Sequence, residues 1–555
     1  INPNHAEALN NLGNVFKEKG YLDKASEAYK RSVTAKPDYA DAYINLATVF
    51  CNQGKLEKAI EAYKTSIILK PDSIISYINM GNVLKEKGEL VKAIEAYKKC
   101  INLKPDHAIA YNNLGKAFQE QGKQEKAIEC YKKSISFDQN YADPHINMGN
   151  VFQEKLKVND AIIAYKHALS INPKIAEAYN SMGVALREQG EVEEAIKALK
   201  KCISLNPNHS EAYNNMGMTL QFQGKLEEAI NAYEKAISFK PDYARAHQNL
   251  SYSLLNSGRI KDGLEKNEWR WKVDKFSKKQ RHFLQPLWDG RKSLNDKRIL
   301  LWCEQGIGDT INWSSCIPLI LSKGANCIVE CQEKLIPLLK RSFPNLDVIT
   351  ENRSLDLKRD DFDFHLPMGS LYKHFIKEIS QNTKANAFLF PDPVRVNFWR
   401  DRLASLGNGP YIGISWKSSQ ISTLRLPNYS YITEWSPILS IPNVTFINLQ
   451  YVDFENDLKI VKDKFDVTVH NFNDLDHYNN ISDVAALANA LDMVISNKTT
   501  VPLISAGVGT VTKLASWRQS SWNNILTNPV GPSVDIYERD IWEPWNRVFS
   551  LIAKD

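Results

Sequence analysis

Residues 110–135 read AYNNLGKAFQEQGKQEKAIECYKKSI, and variants of this stretch recur on both sides of it every 34 residues. Prolines fall at Pro3, Pro37, Pro71, Pro105, Pro173, Pro207 and Pro241, with Gln139 in the one gap. Glycines fall at Gly20, Gly54, Gly88, Gly122, Gly190, Gly224 and Gly258, with Leu156 in the same gap. Alanines keep the phase from Ala25 to Ala229, and tyrosines do so at Tyr29, Tyr63, Tyr97, Tyr131, Tyr165 and Tyr233. A fixed period of this length marks a repeat architecture, in which one unit cannot bury its apolar face alone and must stack on its neighbours. The columns predict a pair of helices per repeat. Glycine ends the first helix in the left-handed conformation that satisfies its last carbonyls. Proline stands in the turn before the next repeat, where it cannot prolong a helix. Alanine lets two helices approach closely, and tyrosine is expected to fill the gap between neighbouring repeats.

This is the tetratricopeptide repeat pattern, and about seven and a half repeats cover residues 1–258. The chain opens at Ile1 in mid-pattern, so further repeats are expected to precede it. A second column carries Asn11, Asn45, Asn79, Asn113, Asn147, Asn215 and Asn249, with Ser181 as the exception. Asn costs a helix interior roughly 0.5–0.7 kcal/mol relative to Ala, so its recurrence asks for a reason. A carboxamide both donates and accepts, and a ladder of them lining the inner groove can hold an extended chain by its backbone. With repeats such as residues 110–135, the column resembles the superhelix of protein O-GlcNAc transferase, whose asparagine ladder grips substrate peptides. Asn also occurs at this position in many such repeats without that role, so both readings stand.

Length and composition frame the rest. The 555 residues predict about three to five domains. With 43% apolar and 24% charged residues the chain is of ordinary globular composition, which argues against wholesale disorder. No apolar run is long enough to span a membrane, and no charged-then-apolar leader opens the chain. The net charge of +6, from 70 basic and 64 acidic residues, favours small acidic ligands over a nucleic-acid track. Eight cysteines without a CxxC pair predict neither a zinc site nor a disulfide framework. Cys327 and Cys331 read as packed thiols, and the usage fits a cytoplasmic location.

The period stops after Gly258. Residues 259–297 read as a final capping helix with Trp269 and Trp271, followed by a linker whose basic run Lys275–Arg281 is expected to be a solvated face. From Arg298 short apolar runs alternate with helical segments: RILLWC, NCIVEC, LDVIT and FDFHLP, then YIGISW, VTFINLQ and DMVISN. Such alternation predicts parallel sheets in an α/β architecture, here two Rossmann-like subdomains, 298–395 and 396–555, with ligands at the carboxyl ends of the strands.

One strand end carries EQGIGD, Glu304–Asp309. Gly306 and Gly308 allow close backbone approach, and Asp309 either caps the following helix or takes a proton from an acceptor hydroxyl. The run from PLWDG through EQGIGDT to DFDFHLPMGSL, with ISDVAALANALDMVIS further on, resembles the C-terminal module of bacterial tetratricopeptide-repeat glycosyltransferase-like proteins. These are similar to ADP-heptose:lipopolysaccharide heptosyltransferases, which have the GT-B fold. The resemblance covers the chain from about Pro286 to its end. It implies an acceptor subdomain over 298–395, a nucleotide-sugar subdomain over 396–555 and a terminal helix that crosses back to the first. It also implies Asp309 as general base and an inverting reaction. Lys417 in YIGISWKSS matches a basic position near the donor diphosphate, and Arg425 in TLRLPN a second phosphate or an acceptor contact. Gln450 ends a strand beside the nucleotide, and Thr499 and Thr500 would meet phosphate at a helix N-terminus. The chain departs from the family at the nucleotide loop. Lys498 and Leu503 stand where an aspartate and a histidine are usual, Pro502 where a small residue is, and NWSSCIP replaces an aromatic-basic stretch.

No HExxH, GxSxG or Walker lysine motif occurs. Asp361 and Asp363 are spaced as DxD, but read as a loop entering a strand. His365 and His374 read as packed residues, and Trp517, Trp522, Trp542 and Trp545 as packing for the terminal helix. The leading expectation is therefore a metal-independent glycosyltransferase. It would move a sugar from a nucleotide-sugar, as co-substrate and without another cofactor, to a protein or peptide held by Asn45, Asn79, Asn113, Asn147, Asn215 and Asn249. Lys498 would join the donor-binding residues as a cation. The alternatives are a protein-binding scaffold with a degenerate GT-B module, and a glycosyltransferase acting on a glycan or lipid. Self-association of the repeats stays open; a nucleic-acid partner is not expected.

Overall fold

The computed structural model describes residues 5–377, 387–418, 428–517, 534–540 and 543–555. It divides into two compact units, Ile1–Thr219 and Leu220–Asp555.

Sixteen helices, from Ala6–Glu18 to Ile260–Asn267, follow one another as eight pairs such as Ala108–Glu120 and Gln124–Phe137. The glycine column behaves as its chemistry requires. Gly20, Gly54, Gly88, Gly122, Gly190, Gly224 and Gly258 all have φ between 70° and 94°. Leu156 takes the same left-handed conformation with φ 58° in spite of its Cβ. Around it the Lys157 N–H reaches Phe152 O at 2.8 Å and the Leu156 N–H reaches Gln153 O at 3.0 Å, as at the glycine ends.

The tyrosines refine one expectation. Their rings pack on the first helix of their own repeat, while the Tyr63 and Tyr165 hydroxyls also reach Asn79 and Ser181 of the next. Tyr29, Tyr97, Tyr131 and Tyr165 lie against Gly13, Gly81, Gly115 and Gly149 of the preceding helix, where an added Cβ would come 2.5–2.6 Å from the ring. Their hydroxyls donate to that helix as well, Tyr29 to Asn14 Oδ1 at 2.7 Å, Tyr97 to Asn82 Oδ1 at 2.8 Å and Tyr131 to Gln119 Oε1 at 2.9 Å. The ring needs a facing residue without a side chain, and the first helix of the same repeat supplies it.

The second unit holds two parallel sheets. The first contains β1 (Arg298–Trp302), β2 (Asn326–Cys331), β3 (Asp347–Thr350) and β4 (Phe364–Pro367) in the order β3-β2-β1-β4. The second contains β5 (Tyr411–Ser415), β6 (Thr445–Asn448), β7 (Val469–His470), β8 (Met493–Ser496), β9 (Val511–Trp517) and β10 (Val534–Arg539). Its order, β10-β9-β8-β5-β6-β7, is the one doubly wound dinucleotide-binding sheets use. Of the apolar runs read as strands, β1 after its first residue and β8 from Val494 onward are buried on both faces, whereas β3 is half-exposed.

Two expected boundaries move. The repeat sequence ends at Gly258, but Leu255 and Leu264 belong to one apolar core with Trp288, Leu371 and Phe375, so the last helices are part of the second unit. The division at 395/396 falls inside the helix Pro393–Ala404. That helix packs on the second sheet's helix Ile481–Ala490, where Arg395 and the Trp399 indole N–H both bind Asp483. The terminal helix Trp545–Lys554 does not cross back among the described residues. Its Trp545, Val548, Phe549 and Ile552 pack with Trp435, Ile414 and Phe446 of the second sheet's core. The basic run is likewise not a solvated face throughout. The Arg281 side chain is buried, donating to Glu330 at 2.8 Å and to Asp356 at 3.0 and 3.1 Å, and Lys279 reaches the Glu304 carbonyl at 3.2 Å. A carboxylate on β2, a second in the short helical turn Arg353–Lys358 and a carbonyl draw it inward.

Candidate functional site

In doubly wound sheets ligands bind outside the carboxyl ends of the strands where the winding reverses. These points are β1/β4 in the first sheet and β5/β8 in the second. The expected residues stand there. Glu304–Asp309 follows β1, Lys417 follows β5, Gln450 follows β6, and Lys498–Thr500 follows β8.

The two ends come together. A Cβ on Gly308 would lie 3.2 Å from Leu503 Cδ1 and 3.3 Å from Thr500 Oγ1, so the absence of a side chain lets the β1 turn rest on the β8 loop. Leu503, where a histidine is usual in the similar family, is a buried packing residue of this contact. Asp309 is half-buried in the first turn of the helix Ile307–Ser314, and its Oδ2 accepts the Gly306 N–H at 3.3 Å. It thus performs the capping role. Tyr252, in the last repeat, lies close enough to feel the Asp309 charge. Burial first, and that charge second, raise its hydroxyl above the ordinary tyrosine range.

Two of the expected donor-site residues are held by partners within the second sheet's unit. Gln450 is fully buried and its carboxamide is spent on backbone: Oε1 accepts from Trp416 N at 3.0 Å and Lys417 N at 3.1 Å, and Nε2 donates to Lys417 O at 2.8 Å. It clamps the end of β5 to the end of β6 instead of facing a nucleotide. Lys417 turns its ammonium to Asp457 Oδ2 and the Asp453 carbonyl, both at 2.7 Å. Asp457 also accepts the Trp416 indole N–H at 2.7 Å, so a carboxylate from the neighbouring helix draws the lysine away from the strand end. Thr499 is half-buried, with Oγ1 3.2 Å from the Val501 N–H. The helix Val501–Gly507 offers few backbone donors at its start: Val501 N–H is held by Thr499, Pro502 has none, and Leu503 N–H goes to Thr500 O at 3.2 Å. Lys498 is half-buried. Arg425 lies outside the described residues, as do Trp522 and Trp542.

The other motif residues take structural places. Asp361 pairs with Arg359 at 2.6 Å, and Asp363 accepts the Arg298 N–H at 2.8 Å. His365 is buried against Phe283 and accepts from the Trp302 indole at 3.3 Å; burial pushes its imidazole down to about 4. His374 packs on Trp288. Trp545 donates to Tyr429 O at 3.0 Å, and Trp517 to Asn428 Oδ1 at 3.0 Å. Among the described residues no helix is long and apolar enough to cross a membrane.

Sequence reasoning passed over Glu304 and its partners Arg270 and Ser370. Glu304 is 2% exposed and its carboxyl is pushed up to about 7, by burial first, with Arg270 opposing. An acid directly after an all-apolar strand was the available signal, but its partners lie 34 and 66 residues away in the chain.

In the repeats the asparagine column ties one repeat to the one before. Asn45 donates to Asn10 Oδ1 at 3.0 Å, Asn113 to Asn82 Oδ1 at 3.0 Å, Asn147 to Asn112 Oδ1 at 2.8 Å and Asn215 to Asn180 Oδ1 at 2.9 Å. Asn79 hydrogen-bonds the Tyr63 hydroxyl. Asn45, Asn79, Asn113, Asn147 and Asn249 are half-buried, whereas Asn215 is buried and Asn11 exposed. Each bonded carboxamide uses one N–H in this way, and an amide has a second N–H and a carbonyl besides.

Comparison with known proteins agrees with the first half of this picture. The family described as TPR repeat matches residues 13–54, 48–88, 81–122 and 118–155, and the family described as Tetratricopeptide repeat matches 174–242. Protein FlbA of Caulobacter vibrioides is 31% identical over 277 residues, which is 46% of this chain. The chain spans about half, 46%, of that protein's length. Among solved structures, YrrB, described as a TPR protein with an unusual peptide-binding site, is 26% identical over 34% of this chain and 96% of its own, with a TM-score of 0.29. MamA is 30% identical over 30% of this chain and 97% of its own, with a TM-score of 0.28. Residues 13–155 and 174–242 are tetratricopeptide repeats.

Proposed function

We propose that the two sheets form a GT-B glycosyltransferase module that takes its sugar from a nucleotide-sugar, and that the repeats hold its acceptor, a protein or peptide segment. The observation that carries this reading is the contact of Gly308 with Thr500 and Leu503. It brings the reversal-point ends of two doubly wound sheets to one place, where an acceptor hydroxyl and a donor diphosphate have to meet. In this reading the acceptor oxygen attacks the anomeric carbon as its bond to the diphosphate breaks, with inversion. The hydroxyl proton passes to the Asp309 carboxylate. The hydroxyls of Thr499 and Thr500 and the Lys498 ammonium face the charge that develops on the diphosphate, so no metal is needed for that task. The half-buried asparagines use their remaining amide groups on the acceptor backbone.

A second reading has its own support. Lys417 is committed to Asp457, and the first N–H groups of the helix Val501–Gly507 are engaged or missing. Both leave less for a phosphate and favour a non-catalytic module attached to a partner-recruiting array.

Calorimetry with a panel of nucleoside diphosphates and their sugars separates the two. The first reading expects one nucleotide to bind the wild type and Asp309→Asn alike, with transfer to peptide lost in the variant. A folded chain that binds none of the panel refutes it.

A further inference from the structure

The turn after the last repeat carries a guanidinium with almost no exposure. Arg270, 1% exposed, lies in the short helical turn Glu268–Lys272. Its Nη2 donates to Glu304 Oε1 at 3.0 Å and to Ser370 Oγ at 2.9 Å. Its Nη1 donates to Glu268 Oε1 at 2.7 Å and to the Asn267 carbonyl at 3.3 Å, and its plane lies over Trp271 at 4.6 Å. Glu304 leaves the end of β1, and Ser370 follows the end of β4. These strands flank the reversal point of the first sheet. One planar fork therefore ties its two sides together.

The surroundings are built for this contact. The other Glu304 oxygen accepts the Gly369 N–H at 3.4 Å, and the Ser370 hydroxyl donates to Glu268 Oε1 at 2.9 Å. A Cβ on Gly369 would run into Glu304 Oε1, so only glycine leaves room for the carboxyl. Stability alone does not call for such a cluster. A buried ion pair is often no more stable than well-packed apolar residues of the same volume, while a guanidinium fork fixes direction as few other groups do. Five residues beyond Glu304 stands Asp309, whose charge reaches Tyr252 of the same last repeat.

We infer that Arg270 is a positioning residue for the Glu304–Asp309 turn, so that the exit turn of the last repeat sets where the Asp309 carboxylate stands. The effect on catalysis rests on the glycosyltransferase reading; the positioning itself does not.

The test is amide hydrogen exchange on the full chain, read in peptides covering 303–310 and 368–371. In Arg270→Met, exchange there rises about tenfold while β2, β3 and the repeat helices keep wild-type rates. Arg270→Lys keeps the charge but not the fork, and gives a smaller rise of about threefold in the same peptides. Unchanged exchange in Arg270→Met overturns the inference. So does a rise spread evenly over the whole first sheet, which is what a merely structural role produces. If Arg270→Met does not fold, Ser370→Ala removes one arm of the fork and leaves the Glu304 pair; a rise confined to the two peptides upholds the inference and none overturns it. Where wild-type transfer is detected, Arg270→Met lowers kcat by about a hundredfold with the donor KM little changed, as a misplacement near 1 Å does. Wild-type kcat in that variant overturns the inference. A wild type without transfer counts against the glycosyltransferase reading, and the exchange result then decides this one.

Discussion

Replacing Leu156 by glycine should stabilise the repeat array. Leu156 is 77% exposed, has φ 58° and occupies the place that glycine holds in every other repeat of the column. A Cβ in the left-handed region costs roughly 1–2 kcal/mol. Glycine gives back part of that through the greater freedom of the unfolded chain, roughly 0.5–1 kcal/mol. The net gain is about 0.5–1 kcal/mol, and almost none of it involves lost packing because the side chain is solvent-facing. Leu156→Ala is the control. It removes the same side chain but keeps the Cβ, and should leave stability within about 0.3 kcal/mol of wild type. Denaturant titration followed by circular dichroism at 222 nm reads both, with the helical transition moving to higher denaturant for glycine alone. A glycine variant equal to or less stable than the alanine variant would refute the conformational argument.

Three further expectations concern single side chains. Asn147→Ala strands the carbonyl of Asn112, which is buried, and should cost about 1–2 kcal/mol by the same titration, so a weakened peptide interaction in this variant needs a stability control. Glu304 has a folded pKa of about 7 against an ordinary 4.5, with Arg270, Glu268 and Lys279 around it, so the fold holds more protons than the unfolded chain between these values. Stability should therefore fall as pH rises from about 4.5 to 7, by an amount on the order of 3 kcal/mol, and Glu304→Gln should flatten that slope in melts taken across the range. Lys417→Met leaves the Asp457 carboxylate without its cation and should cost about 1–2 kcal/mol, yet calorimetric nucleotide affinity should change by less than about twofold.

The helix pairs were open to reading because their determinants recur in phase: a glycine that must be left-handed, a proline that must lie in a turn. What faces the tyrosines was not, since a period gives the interval between side chains and not the helix they meet. Seven strands announced themselves as apolar runs. β7 did not, being two residues long, and neither did β9, whose Lys513 is buried mid-strand by pairing with Tyr537 and Asp555. β10 is half-exposed and carries charges. The site shows the same limit. Strand ends locate Asp309, Lys417, Gln450 and Thr499, but what each side chain does there depends on partners such as Asp457, 40 residues from Lys417. Arg270 is legible only once Glu304 and Ser370 are seen beside it.

The merging of the last helices with the sheets bears on any chimera. A graft that exchanges this array for another at Gly258, where the periodic sequence stops, would sever Leu255 from the core it shares with Trp288 and Phe375 and strip the sheets of one wall. A junction ahead of Ser210, where a helix begins, keeps that helix whole and leaves Tyr252 and Arg270 with the sheets.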